Sequence, residues 1–501
     1  VRFDRSADDI LSRLEELRAA DAPTHGGRVL SYVYDSGLAE LDELAARAVR
    51  AVQPVNGLDP TTFSSVAALE RGVIGFVRSL VHGDPDGADV VVGTVTTGGT
   101  ESCLLAVKSA RDAWLAARGV EPGQARPRLV APSTVHAAFQ KAAHYFGLEL
   151  ELVPVGVDGV VTVQAIADRL GDDVALVVVS APSYPFAALD PVGAIGALCL
   201  ERGIPLHVDA CIGGLVLPFW PDLPAWDFAV PGVTSLSADL HKFGYAPKGA
   251  SVLLQRGRDR QRGQYFATTR WPGYPVVNST ILGSKSAGPL AAAWAITEAL
   301  GVAGFAELAA SCHRSTEALR AAIDGIRGLR VVGVPVGPLL AVATDTVVPE
   351  ADRVDPHHWA DAVRGLGWVL QLQPGVSQSD GTQLPPTTHL TITPVTEGVL
   401  PELVPALVAA ADAVRGEPHV DPAPLLGALP PLEGVPDAET AWALLQGVGI
   451  GGGSTGSSTG AGSSTGALPE RLAPLLALIE VLPPPIAERL LTELLARLVE
   501  P

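Results

Sequence analysis

The 501-residue sequence has no methionine, only four cysteines, only five lysines, 5% aromatic residues and no run of basic charge to offset a net charge of −19. Most of these scarcities exclude something. An acidic chain without a basic stretch repels nucleic acid and anionic membrane surfaces. Cys103, Cys199, Cys211 and Cys312 lie far apart, with no CxxC and no metal-ligand spacing, so reduced thiols and no metal site are expected. The longest apolar stretch, residues 289–310, is interrupted by Glu298 and Glu307 and reads as a buried helix pair, not a membrane span. Residues 1–6 lack the apolar core of a secretory signal. Together these readings predict a cytoplasmic protein. The absence of methionine has no counterpart in composition or charge.

What is present suffices for a large core. Hydrophobic residues make up 47% of the chain and charged residues 18%, at a length that suits two to four folding units. Residues 1–60 form an N-terminal helical segment. In it, Ser6-Ala7-Asp8-Asp9 is a capping signal ahead of Ile10, Leu11, Leu14 and Leu17, and a second helical pattern runs over 38–52 after a loop holding Tyr32 and Tyr34. From 61 to 290, β-branched runs at 89–94, 128–131, 150–154, 174–180, 205–208, 235–237 and 251–254 alternate with amphipathic helices. That alternation predicts an α/β domain with a mostly parallel sheet covered on both faces. A smaller α+β C-terminal domain is expected over 291–447, with strands at 329–334, 339–344 and 388–392. Residues 448–467, rich in Gly, Ser and Thr, have almost nothing to bury and read as a linker. Residues 468–501 then carry a pair of amphipathic helices split by Pro483-Pro484-Pro485. Two such short helices must dock on the main body, a second subunit or a partner.

The chemistry concentrates in four segments. Lys108 and Lys141 sit in helical patterns, where a solvated lysine is the plain reading. Lys242 differs: it lies in Ser235-Leu236-Ser237-Ala238-Asp239-Leu240-His241-Lys242, between two apolar strands and among small residues. A partly desolvated amine in that setting suits Schiff-base chemistry. Asp209 ends the strand in Leu206-His207-Val208-Asp209, where an unpaired carboxylate is costly. A core Asp capping a loop explains most such residues, but the pyridinium nitrogen of pyridoxal phosphate (PLP) is a better partner. Thr96-Thr97-Gly98-Gly99-Thr100-Glu101 follows a strand and opens a helix, a common turn that also suits a phosphate. His136 by itself is more simply a helix cap or a core histidine.

Taken together, the stretches TTGGTESCLLAVKSARD, APSTVHAAFQKAAHYFG, APSYPFAALDPV, PLHVDACIGG, VTSLSADLHKFGYAPKGAS and STILGSKSAG resemble the sphingosine-1-phosphate lyase branch of the PLP-dependent group II decarboxylase superfamily, over about residues 25–435. The resemblance implies a PLP-dependent transferase-like (fold type I) large domain. It also implies that Lys242 carries PLP, Asp209 pairs with the ring nitrogen and His136 stacks on the ring. Gly99, Thr100, Ser237 and His241 would hold the cofactor phosphate, while Gly283 and Ser284 would reach it from the neighbouring subunit of a homodimer with shared active sites. Tyr184 is similar to the family's active-site tyrosine, and Tyr34 and Lys248 to its substrate-phosphate site. The sequence departs from that pattern at Asp59, where the family has a histidine. It departs again at Gly283-Ser284-Lys285-Ser286, and at Glu433, where the family has a tyrosine. A carboxylate at Asp59 is expected to repel a substrate phosphate.

The implied function is a carbon–carbon lyase that cleaves a β-hydroxy amine by retro-aldol chemistry through an external aldimine, with Lys242, His136 and Tyr184 as candidate proton carriers. An amino-acid decarboxylase on the same scaffold is the alternative, favoured by Asp59 and Glu433. A non-catalytic scaffold with a C-terminal interaction module is the third reading, and the joint presence of Lys242, Asp209 and His136 argues against it.

Overall fold

The computed structural model describes residues 4–428, 434–447, 450 and 471–500. Glu433 and all of the expected linker except Ile450 lie outside the described residues.

The large sheet has seven strands: β1 (Val91–Thr96), β2 (Arg128–Pro132), β3 (Glu149–Val153), β4 (Val174–Ser180), β5 (Leu206–Asp209), β6 (Val233–Ala238) and β7 (Ser251–Arg256), in the order β1-β7-β6-β5-β4-β2-β3. Only β7 runs against the others. β4, Val-Ala-Leu-Val-Val-Val-Ser, is buried at every position, as an interior strand covered on both faces requires. β3 is an edge strand and places Glu149 and Glu151 in it, a composition that discourages pairing with another chain. The parallel arrangement brings the C-terminal ends of β1, β2, β4, β5 and β6 to one rim, where α/β sheets hold their ligands.

Helices α3 (Ser64–Leu80), α4 (Gly99–Arg118), α5 (Ala137–Phe146), α6 (Val163–Ala167), α7 (Val192–Arg202) and α8 (Arg258–Arg262) follow or precede these strands, and the hairpin β8 (Phe266–Thr268) and β9 (Val276–Asn278) extends from their end. α9 (Gly288–Asp324) is, among the described residues, the single helix long and apolar enough by composition to cross a membrane. Gly301, at φ 53°, breaks it into the two pieces that Glu298 and Glu307 suggested. Both pieces pack on protein, against α2 (Ala39–Ala51), α3 and α11 (Thr396–Ala413).

The small domain is an antiparallel sheet in the order β10-β11-β15-β12, formed by β10 (Leu329–Val331), β11 (Leu339–Thr344), β12 (Gln371–Gln373) and β15 (Thr387–Thr391). A short hairpin of β13 (Val376–Ser377) and β14 (Gln383–Leu384) lies between β12 and β15. Trp359 of α10 (Pro356–Gly365), with Trp368 and Leu390, fills its core. β12, three residues long, carries no alternation that sequence could display.

Both termini join the small domain more closely than composition suggested. Leu30 donates its N–H to Val369 and accepts from the N–H of Thr391, and its side chain is part of the small-domain core. The capping signal at Ser6 is realised, its Oγ accepting from Asp9 at 3.1 Å, yet α1 (Ala7–Arg18) leaves Ile10, Leu11, Leu14 and Leu17 exposed. α12 (Ala423–Ala428) leads to α13 (Ala438–Gly447), whose Leu444 and Leu445 pack with Leu478 of α14 (Ala473–Val481) and Leu490 of α15 (Pro484–Leu498). The helical pair therefore docks on its own chain, and α13, placed by sequence in the small domain, belongs with it. Asp361 of α10 accepts from the N–H groups of Leu472 and Ala473 at 3.0 Å and so caps α14.

Candidate active site

Lys242 follows β6 on a turn that returns it over the rim of the sheet. Its Nζ lies 3.0 Å from Oδ2 of Asp239, and the side chain is about a fifth exposed. Burial lowers the affinity of this amine for a proton, but the facing carboxylate outweighs it and holds the pKa well above the ordinary lysine value. Asp239 is buried, with Oδ1 lacking a hydrogen-bond partner among the described residues. Burial raises its pKa and Lys242 lowers it, and the net shift is downward. Sequence reading passed over Asp239 because an acid three residues before a lysine is ordinary.

Asp209 ends β5 one strand away. Its Oδ1 accepts from the N–H of Cys211 at 3.0 Å and from Oγ of Ser237 at 3.3 Å. Ser237, expected at the cofactor phosphate, does not line the cavity. The alternation of β6 puts Ser235 and Ser237 on one face, against buried His207, whose Nδ1 meets Ser235 Oγ at 2.8 Å and Nε2 meets Ser237 Oγ at 3.2 Å. Burial pushes the His207 pKa down to about 4, so the ring is neutral and fixed by two hydroxyls. Ser237 thus steadies Asp209 from below.

The turn after β1 supplies an anion site. α4 begins at Gly99 with no side-chain cap, which leaves its first N–H groups facing the cavity. A Cβ at Gly99 would sit 2.6 Å from Asp239 Oδ1 and 2.8 Å from Cys211 Sγ, so only glycine fits. Glu101 fixes this turn: its Oε2 accepts from the N–H and Oγ1 of Thr97 at 2.7 and 2.9 Å, and its Oε1 from the N–H of Ile281 at 2.7 Å. His136 caps α5 by accepting from the N–H of Ala138 at 3.1 Å through Nδ1, and its ring borders the same cavity. The plain reading of His136 as a helix cap holds, and the same ring faces the cavity.

That cavity, about 670 Å³, is bordered by Gly99, Thr100, His136, Tyr184, Asp209, Asp239, His241, Lys242 and Lys248. Tyr184 stacks on His389, with ring centroids 4.1 Å apart, and its hydroxyl donates to Gln371 of β12 at 2.6 Å. Burial raises the Tyr184 pKa and keeps the hydroxyl protonated. Lys248 donates to the carbonyl of His241 at 2.9 Å and stands 4.5 Å over the ring of Tyr34. Burial pushes Tyr34 up to about 12; burial and the charge of Lys242 push Lys248 down to about 8.

Asp59, Gly283 and Ser284 are not in this cavity within one chain. They border an adjoining groove of about 1000 Å³, together with Trp271 and Tyr274. Asn56 Nδ2 donates to Ser284 Oγ at 3.2 Å, which ties the two segments together. Asp59 caps the turn that follows it. Its Oδ1 accepts from the N–H of Thr61 at 2.8 Å and from Thr61 Oγ1 at 2.6 Å, and its Oδ2 from Thr62 Oγ1 at 2.7 Å. These bonds hold its pKa below the usual carboxylate range. The expected repulsion of a substrate phosphate at Lys242 therefore has no basis within one chain.

A lysine held against an acid, an aspartate at the next strand end and an uncapped helix N-terminus surround one cavity, and the sequence profile of the "Pyridoxal-dependent decarboxylase conserved domain" matches residues 37–331. The chain belongs to this pyridoxal-dependent decarboxylase family. A second profile, "Pyridoxal-dependent enzyme, C-terminal putative HTH domain", matches residues 397–497. The family member described here is 31% identical to rice sphingosine-1-phosphate lyase over 85% of this chain and 76% of the rice protein. It is 35% identical to rat sphingosine-1-phosphate lyase 1 over 68% of this chain, but spans only 59% of the rat protein. The solved structure of Burkholderia pseudomallei sphingosine-1-phosphate lyase superposes with a TM-score of 0.74 at 32% identity, over 83% of this chain and 93% of that one. Lactobacillus brevis glutamate decarboxylase, with a TM-score of 0.72 at 18% identity over 84% and 96%, shares the fold. This decarboxylase-family chain is a PLP-dependent lyase of fold type I.

Proposed function

We propose that this lyase cleaves the Cα–Cβ bond of a β-hydroxy amine that carries an anionic group, with sphingosine-1-phosphate as the type of substrate its relatives' names suggest. The observation that carries the reading is Lys248 on the border of the Lys242 cavity, a cation held over the Tyr34 ring and in position for a substrate anion.

The residues present fit PLP. The open N–H groups at Gly99 and Thr100, with His241 beside them, suit its phosphate, and the buried carboxylate of Asp209 suits its ring nitrogen. His136 would cover the ring. Bound at Lys242, PLP supplies a protonated ring that withdraws electrons from the substrate Cα. Asp209, steadied by Ser237, holds the proton on that ring nitrogen. Lys248, backed by the Tyr34 ring, would anchor the anionic end and so choose which bond at Cα stands ready to break. The amine of Lys242 would accept the proton of the substrate hydroxyl, and Tyr184, protonated and held by Gln371, would deliver a proton to Cα.

A homodimer completes the proposal. Gly283, Ser284 and Asp59 border a groove next to the Lys242 cavity, with exposed Phe266, Trp271, Tyr274, Val277, Ile281 and Leu282 around it. A second copy covering that apolar surface would receive Gly283 and Ser284 at its own active site. The four buried free thiols suit a reducing compartment, and we place the enzyme in the cytoplasm. The test is product analysis over a panel of β-hydroxy amines and amino acids. Aldehyde release supports the lyase reading; carbon dioxide release from an amino acid without aldehyde replaces it with decarboxylation.

A further inference from the structure

A second set of chemically capable side chains lies where α14 docks on the small domain. One ring nitrogen of His357, one of His419 and a carboxylate oxygen of Glu480 fall within 4.8 Å of one another. Each is held in place through another atom. His357, fully buried at the start of α10, donates from Nε2 to the carbonyl of Gln373 at 2.8 Å, and its Nδ1 has no hydrogen-bond partner among the described residues. His419 meets Asp355 Oδ2 through Nδ1 at 2.7 Å, while its Nε2 lies 2.9 Å from Glu480. The other oxygen of Glu480 accepts from the N–H of Gly375 at 2.7 Å. Carboxylate and carbonyl partners on the far nitrogen are what orient histidines that bind metal.

We propose that His357, His419 and Glu480 bind a divalent cation of the zinc class, which staples α14 to the small domain. Two imidazoles and one carboxylate suit zinc with water as a fourth ligand, and suit calcium or magnesium poorly because those ions prefer oxygen alone. On binding, the Nε2 proton that His419 shares with Glu480 leaves to water, and the nitrogen lone pair takes the metal. The chain from His419 to Glu480 includes the Gly/Ser/Thr-rich residues 451–466, so a link between its ends closes a long loop. β12 also links the site to the catalytic cavity. Gln373, which holds His357, stands two residues from Gln371, which holds Tyr184, on the same short strand.

The test uses the full-length, cofactor-loaded enzyme, stripped with a chelator and titrated calorimetrically with zinc. One site per chain is expected, with a rise in melting temperature on zinc addition. His357→Gln and Glu480→Gln should each weaken binding by more than about tenfold and abolish that rise. Cys103→Ser should leave binding unchanged, since it alters the other cluster of possible ligands among the described residues, Cys103, Asp209 and Cys211. Retained cofactor absorbance in each variant shows that it is folded. Failure of the unaltered enzyme to take up zinc, or uptake that persists in both His357→Gln and Glu480→Gln, overturns the proposal without touching the assignment of Lys242.

Discussion

The carboxylate of Asp239 stands 3.0 Å from the amine of Lys242, three residues along the same turn, and holds that amine protonated. The amine must lose this proton to receive the aldehyde of PLP. Asp239→Asn should therefore load cofactor at lower pH, with the midpoint of the reconstitution rate moved down. Stopped-flow absorbance against pH measures this, and Lys242→Ala should show no visible band at any pH. An unchanged or raised midpoint would show that burial, not the Asp239 charge, governs Lys242.

Asp209→Asn keeps the bond from Cys211 and the shape of the β5 end, so it should fold and bind cofactor. The amide cannot hold a proton on the ring nitrogen by charge. Turnover should fall roughly a hundredfold or more while absorbance survives. Near-normal kcat would sink the pairing.

Lys248 has its pKa pushed down to about 8 by burial and by the charge of Lys242. It is a cation below that pH and neutral above it. For an anionic substrate, KM should rise between pH 7 and 9 as the cation is lost, with kcat changing less. Lys248→Met should raise KM throughout and remove the dependence. A pH profile that survives the substitution would place the titrating group elsewhere.

Gln371 links two tyrosines, accepting from Tyr184 at 2.6 Å and donating to Tyr32 at 2.8 Å. Gln371→Leu leaves the half-buried Tyr184 hydroxyl without its acceptor, at a cost of about 1 kcal/mol. We expect a lower melting temperature and roughly tenfold lower kcat, with KM little altered. If the pair acts as a unit, Tyr184→Phe combined with Gln371→Leu should lose no more kcat than Tyr184→Phe alone.

Shared active sites predict complementation. Lys242→Ala and a bulky Gly283→Trp should each be inactive as pure assemblies, yet mixing them should restore up to about a quarter of full activity, because each hybrid dimer holds one intact site. Mixtures that stay inactive while exchanging subunits would show that each site is built from one chain.

The sequence by itself determined the seven strands of the large sheet and the cofactor chemistry. Parallel strands write their burial into contiguous apolar runs such as 174–180, and the types at Gly99, Asp209 and Lys242 are the ones an anion, a pyridinium and an aldehyde require. Each of these signals is contained in a few neighbouring residues, so it is legible without a fold. Only the tertiary structure decided what those side chains meet. It set Asp239 against Lys242, turned Ser237 beneath Asp209 and closed Asp59 onto Thr61 and Thr62. It brought Gln371 to Tyr184 across 187 residues of chain, and His419 to both Asp355 and Glu480. Such contacts depend on which face of a strand or turn a side chain takes and on how two domains pack. That choice is made by burial summed over the whole core, and no local stretch of residues contains it.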